Sequence, residues 1–173
     1  TSKRSIVSLE ESQVIYMLAE ILPPPQLQQD VTISQSRINL TLVLDHSNSM
    51  NGVRLEKVKV AAHQIIENLS EEDYISVVIF NDRANAIIPA TRVADKQSLK
   101  AKVSLMSASG GTEIYQGLSK GVIENEKFID PKMVNHVILL TDGHTFGDQD
   151  RCLELASISA NKGIGISAMG LGH

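Results

Sequence analysis

Ile38-Asn-Leu-Thr-Leu-Val-Leu-Asp45, followed at once by His46-Ser-Asn-Ser-Met50, is the stretch on which the fold turns. Its residues up to Leu44 are mostly apolar and stop at an aspartate, the pattern of a parallel-sheet strand buried on both faces. Toward the C-terminus, Val53, Leu55, Val58, Ala61, Ala62, Ile65, Ile66 and Leu69 recur at helical spacing. Ser70 to Asp73 interrupt that helix, and Tyr74-Ile-Ser-Val-Val-Ile-Phe80 reads as a second strand ended by Asn81-Asp82. Ala86-Ile-Ile88 stops at Pro89 and is expected as a short edge strand. A weaker helical pattern starts at Asp95 and passes through Leu99, Val103 and Met106. After the loop Ser107-Ala-Ser-Gly-Gly111, Thr112 is a candidate N-cap for a helix with Ile114, Leu118, Val122 and Ile123 along one face. Asn135-His-Val-Ile-Leu-Leu140 is another buried strand, closed by Thr141-Asp142-Gly143. A helix through Cys152, Leu153, Leu155, Ala156 and Ile158 then leads to a fifth strand, Ile164-Gly-Ile-Ser-Ala-Met169. Strands alternating with helices imply βαβ crossovers. The expected fold is therefore α/β: a three-layer, doubly wound, Rossmann-like and mostly parallel sheet, with helices on both faces and one short antiparallel edge strand.

Upstream of Arg37 the pattern differs. Pro23-Pro24-Pro25 cannot continue a helix or a central strand and marks a rigid break. The apolar stretch Val14–Leu22 before it and Val31-Thr-Ile-Ser34 after it read as strands of a small β element. Residues 1–36 are thus expected as an N-terminal β-rich extension, part of a neighbouring β domain or an added strand pair. Residues 37–173 form the main domain.

Composition excludes several classes of function. The chain has 173 residues, 42% hydrophobic and 21% charged, which is globular and neither disordered nor low-complexity. Sixteen Lys and Arg against 20 Asp and Glu give a net charge of −4, against a general nucleic-acid surface. Every apolar run is far short of the ~20 residues that span a bilayer, so no membrane insertion is expected. The single cysteine, Cys152, makes no internal disulfide. With no leader pattern at the start, these features favour a cytoplasmic over an extracytoplasmic location. An exported domain separated from its leader fits the same residues.

In an open parallel sheet, ligands bind beyond the carboxyl ends of the strands where the strand order reverses. Three segments at such ends carry polar ligand atoms: Asp45-His-Ser-Asn-Ser49, Gly110-Gly-Thr112 and Thr141-Asp142-Gly143. Asp45, Ser47 and Ser49 alternate, so in an extended turn their oxygens can converge on one point. Two carboxylates and three hydroxyls make an all-oxygen set, preferred by hard divalent cations, whereas Zn²⁺ favours Cys or His. Each segment alone has an ordinary reading as turn, helix cap or loop. Their joint arrival at strand ends of one sheet is what favours a site. His46 and His144 flank these ligands and would serve a softer metal, but loop histidines are ordinarily solvated. His63 and His136 read as structural, and Cys152 as a small buried hydrophobe on a helix. The run Glu124-Asn-Glu-Lys127 reads as a solvated helix end, and Tyr16, Tyr74 and Tyr115 are too scattered to form a base-stacking platform.

This set resembles the metal-ion-dependent adhesion site of von Willebrand factor type A (VWA) domains. Asp45-x-Ser47-x-Ser49, Thr112 in a Gly-Gly-Thr loop, and Asp142 in Leu-Leu-Thr-Asp-Gly match that five-residue motif in order and context, over about residues 37–173. The flanking wording resembles the bacterial and inter-α-inhibitor/chloride-channel-accessory branch rather than integrins. Asn48 stands where family members commonly have glycine, and Asn tolerates left-handed conformations. The resemblance implies metal ligands Asp45, Ser47, Ser49, Thr112 and Asp142, with some carboxylate contacts through water. Mg²⁺ is the leading cation, with Mn²⁺ or Ca²⁺ as alternatives. The implied function is not enzymatic: a metal-dependent interaction module whose cation binds an Asp or Glu of a partner protein, or of other domains of the same longer chain. Family members usually continue through another helix, strand and helix, so the chain is expected to be a C-terminally short fragment. Two rivals are weighed against this. One is a Mg²⁺-dependent phosphotransfer enzyme or receiver-like domain with Asp45 as nucleophile, although a phosphatase of that kind needs an Asp where Ser47 stands. The other is a VWA domain that is structural only, its metal stiffening loops. A P-loop is excluded, because Ser109-Gly-Gly-Thr112 lacks the glycine spacing and the Lys.

Overall fold

Ile38–Asp45 form the central strand β1, with every residue after Ile38 buried. The structure is a computed structural model and describes residues 36–143 and 147–170. Apart from Ser36, the expected β element of residues 1–36 lies outside the described residues. After β1 and a single 3-10 turn, Asn48–Met50, come α1 (Val53–Asn68), β2 (Tyr74–Phe80), β3 (Ala84–Arg92), α2 (Lys96–Ser104) and α3 (Ile114–Glu126). β4 (Val134–Thr141), α4 (Gln149–Asn161) and β5 (Ile164–Gly170) complete the order. The sheet runs β3-β2-β1-β4-β5. β1 pairs in parallel with β2 and β4, β4 in parallel with β5, and β3 antiparallel with β2. The order reverses between β1 and β4, where two crossovers leave in opposite directions and open a crevice at the carboxyl ends of those strands.

Alternation along β1 feeds two cores. Leu40, Leu42 and Leu44 face α1 and α2 and pack with Leu55, Val58, Ala62 and Ile66 of α1 and Leu99 and Val103 of α2. Val43 faces the other side, with Val78 and Phe80 of β2, Val137 and Leu139 of β4, and Ile114, Leu118 and Val122 of α3. Each such side chain contributes about 1.5–3 kcal/mol by leaving water. The helix α3 lies close on the sheet because Gly121 lacks a side chain: a Cβ there would collide with Val43 Cγ2.

Three readings of the sequence are corrected. The edge strand does not stop at Pro89; β3 runs on to Arg92. Proline is tolerated because β3 has a partner on one side only among the described residues, and its ladder with β2 is irregular between Ile88 and Thr91. Ile123 does not join the buried face of α3 and is 51% exposed. The residues that do join it include Glu124 and Asn125, so Glu124 to Lys127 is no solvated helix end. Asn125 is fully buried and donates through Nδ2 to the carbonyls of Asn39 (3.0 Å) and His136 (3.2 Å) and to Thr41 Oγ1 (3.0 Å). Glu124, 2% exposed, accepts from the Ala90 backbone N–H at 3.0 Å and from Lys127 Nζ at 2.6 Å, with Lys120 Nζ 3.7 Å away. These bonds satisfy the polar groups that burial takes out of water.

Candidate functional site

Asp45 ends β1 with its residue wholly buried. Its Oδ1 accepts the Ser47 backbone N–H at 2.8 Å, which bends the chain into an Asx-type turn. Its Oδ2 accepts the Thr141 hydroxyl at 2.6 Å, from the last residue of β4 across the switch point. The Ser47 and Ser49 hydroxyl oxygens are 3.0 Å apart, and Ser49 Oγ donates to Asp142 Oδ1 at 2.8 Å. A continuous polar chain therefore runs from Thr141 through Asp45, Ser47 and Ser49 to Asp142. Ser47 is buried and Ser49 exposed, so the chain climbs from the core to the surface. Asn48 has no positive φ; the 3-10 turn accommodates it without strain.

Thr112 reaches the same place from the loop before α3. A Cβ on Gly143, next to Asp142, would lie 3.2 Å from Thr112 Cγ2 and 3.7 Å from its hydroxyl. The expected cap role of Thr112 is corrected: Glu113 is the N-cap residue of α3, without a side-chain cap bond. The capping is done from outside, by Asp148 Oδ2 accepting the Tyr115 N–H at 2.9 Å. The Thr112 loop is tied to the Asp45 loop by Asn48 N–H donating to the Gly110 carbonyl (3.0 Å) and Ser109 N–H to the His46 carbonyl (2.8 Å). Gly110, at φ +75, holds a left-handed position that a side chain would strain, and a Cβ there would meet Asp82 Oδ2 at 2.5 Å.

All five expected residues are thus brought together. The structure adds four that the sequence reading missed. Thr141 donates to Asp45, as above. Asp82 accepts the Gly111 N–H at 3.0 Å, and Asn81 donates to the Ser109 carbonyl at 2.9 Å, so the turn after β2 braces the Thr112 loop. Arg54, at the start of α1, lies 3.1 Å from Asp142 Oδ2. The only signal for Thr141, Asp82 and Asn81 was proximity to strand ends, which names no partner, and Arg54 had none.

His46 is not a solvated loop residue: it is 9% exposed, and its Nδ1 donates to the Ser107 carbonyl at 2.9 Å. His144 lies outside the described residues. His63 Nε2 sits 3.0 Å from the Lys100 carbonyl and His136 Nε2 2.9 Å from Ser167 Oγ, both in structural roles. Burial, then the Asp148 carboxylate, push the Cys152 thiol up, so it stays protonated and unreactive near neutral pH.

A buried carboxylate needs compensation for lost hydration. Asp45 has two hydrogen bonds, and among the described residues no Lys, Arg or His forms an ion pair with it. Among the same residues no three His, Cys, Asp or Glu side chains gather into a metal-holding group. The chemistry on offer is instead two carboxylates and three hydroxyls. Cis ligands of a six-coordinate Mg²⁺, at about 2.1 Å from the ion, stand about 3.0 Å apart. The Ser47 and Ser49 oxygens have that separation. The residues present fit a small hard cation.

A family model described as von Willebrand factor type A domain matches residues 39–173. An uncharacterised Synechocystis protein, sll0103, is 40% identical over 136 residues, spanning 78% of this chain and 32% of its own. Human inter-alpha-trypsin inhibitor heavy chain H2 is 33% identical over 135 residues, spanning 71% of this chain and 14% of its own. Among solved structures, proximal thread matrix protein 1 from the mussel byssus, with a zinc-occupied MIDAS motif, shares the fold. Its TM-score is 0.67 at 24% identity, over 78% of this chain and 36% of that one. The chain therefore spans about a third or less of the length of these curated relatives.

Proposed function

The chain belongs to the von Willebrand factor type A domain family, and from that premise we propose that it is a metal-dependent protein–protein interaction module. Residues 37–173 are the interacting unit. Asp45, Ser47, Ser49, Thr112 and Asp142 hold a divalent cation at the carboxyl edge of the sheet, and an Asp or Glu side chain of a partner protein completes its coordination. The observation that carries this reading is Asp45: a wholly buried carboxylate with two hydrogen bonds, beside two hydroxyl oxygens 3.0 Å apart. A bound cation supplies the missing positive charge and, with uncharged hydroxyls among its ligands, stays electrophilic toward an incoming carboxylate. The residues do the rest. Asp45 sets the turn that aligns both serines, Thr141 fixes the Asp45 carboxylate, and Asp142 orients the Ser49 hydroxyl. Ser49 and the Thr112 loop lie at the surface end, where a partner arrives.

Mg²⁺ is favoured by the oxygen-only set and the oxygen spacing, with Mn²⁺ and Ca²⁺ next. Zinc, the ion of the mussel neighbour, is the competing choice. The phosphotransfer alternative is disfavoured because Ser47 stands where a phosphatase of that kind needs a second Asp. Among the described residues no helix is long and apolar enough to cross a membrane, and the net charge of −4 argues against a general nucleic-acid surface.

Isothermal calorimetry tests the site. Wild-type protein is expected to bind one Mg²⁺ or Mn²⁺, and Asp45→Ala to bind neither; unchanged affinity in Asp45→Ala would refute the assignment. Capture of a partner by wild-type protein that survives EDTA would refute the metal-dependent interaction.

A further inference from the structure

Arg54 belongs to none of the motif positions, yet it is built into the site. It sits in the first turn of α1, directly after the turn that carries Ser47 and Ser49. Its Nη1 donates to the Ser49 carbonyl at 3.0 Å and lies 3.1 Å from Asp142 Oδ2. The other Asp142 oxygen accepts from Ser49 Oγ. Ser49, Asp142 and Arg54 therefore close a ring of contacts, with the main chain and side chain of Ser49 serving opposite sides of it. The Asp142 side chain is 5% exposed and that of Arg54 32%, so a buried carboxylate is paired with a cation that reaches solvent.

This arrangement has an electrostatic consequence. Asp142 is one of only two carboxylates in the candidate set, and its charge is already shared with a fixed cation that never deprotonates. An incoming metal ion gains less from Asp142 than from an unpaired carboxylate. It also meets the repulsion of a guanidinium that contacts two of the residues around it. Neither effect is lost to a neutral pH, and both are partly protected from screening by the burial of Asp142.

We propose that Arg54 sets the cation affinity of this site, acting as the resident countercharge of Asp142. It keeps the carboxylate compensated and in place when no metal is bound, and it weakens the metal complex by competing for Asp142 and repelling the ion. Occupancy then follows the ambient cation concentration instead of being permanent. The inference rests on the reading of the five residues as a metal site, and Arg54 is a positioning residue in it, not a ligand.

The test is calorimetric titration of the chain with Mg²⁺ and, separately, with Tb³⁺, in wild type, Arg54→Gln, Arg54→Met and Arg54→Lys, with Asp45→Ala as control. Circular dichroism checks that each variant is folded, and either neutral variant suffices. Arg54→Gln is expected to bind Mg²⁺ about tenfold tighter, and Arg54→Lys to stay within about twofold of wild type. The gain should be larger for Tb³⁺, because repulsion grows with the charge of the ion. It should shrink between about 0.05 M and about 0.5 M NaCl. A residue that merely props the turn would give equal or weaker binding in the neutral variants. That result, or a gain identical for both ions, overturns the inference while leaving the site intact if Asp45→Ala still abolishes binding. A wild-type chain that takes up neither ion overturns the site reading and this inference together.

Discussion

Asp45 and Thr141 form the most consequential side-chain pair in the molecule. The Thr141 hydroxyl donates to Asp45 Oδ2 and also accepts the Gly143 N–H at 3.0 Å, so one oxygen fixes both the carboxylate and the loop that carries Asp142. Thr141→Val keeps the shape and removes both bonds, leaving a buried carboxylate oxygen short of a donor. The expected cost is about 1–3 kcal/mol, read as a lower denaturation midpoint with an unchanged slope. Weaker cation binding in calorimetry should accompany it. The five motif residues were legible in the sequence because Asp45, Ser47 and Ser49 alternate and the other two sit in short recognisable loops. Thr141, Asp82 and Arg54 were not, because each acts through a bond to a residue distant in sequence, and no local pattern encodes such a bond. His46 was misjudged for a similar reason: its carbonyl and ring both bind the Ser107–Ser109 loop.

At the level of elements, α3 holds the unexpected chemistry. Strands β1, β2 and β4 could be read almost to the residue, since apolar runs ending at Asp or Asn leave little choice. The charged end of α3 could not. A Glu-Asn-Glu-Lys run is ordinarily solvent-facing, and only the fold reveals that Glu124 points at the Ala90 N–H of β3. Burial pushes the Glu124 carboxyl up, but the hydrogen bonds from Lys127 and Ala90, with the charges of Lys127 and Lys120, outweigh it. The net result lies below the ordinary value near 4.5. A carboxyl depressed in the folded state contributes stability above its unfolded value, and that contribution is lost as pH falls through the folded one. Wild type should therefore lose stability below about pH 4.5 more steeply than Glu124→Gln, which has no proton to take up there. Acid unfolding followed by circular dichroism checks this; parallel curves for the two proteins would contradict it.

For the whole molecule, the decisive fact is where the sheet reverses. The overall α/β order was legible because helical and strand periods alternate from Ile38 onward, and the place to look for a candidate site followed from that order. Asp45 and Thr141 are 96 positions apart in the chain, and Ser49 and Asp142 are 93 apart. The set exists only when β1 and β4 are paired, so a cation that uses it binds the folded chain alone. At about a hundredfold excess over its dissociation constant, Mg²⁺ should stabilise the wild type by about 2.7 kcal/mol. Thermal melts in Mg²⁺ and in EDTA should differ accordingly for wild type and coincide for Asp45→Ala. The β3 border of the same sheet leads elsewhere. Pro89 offers no N–H there, and the N–H of the next residue, Ala90, is already held by the Glu124 carboxylate. Successive N–H groups of a strand point to opposite sides, so whichever of these two positions faces the open border, its donor is withheld from a foreign strand that would extend the sheet, which makes this border a poor seed for edge-to-edge aggregation.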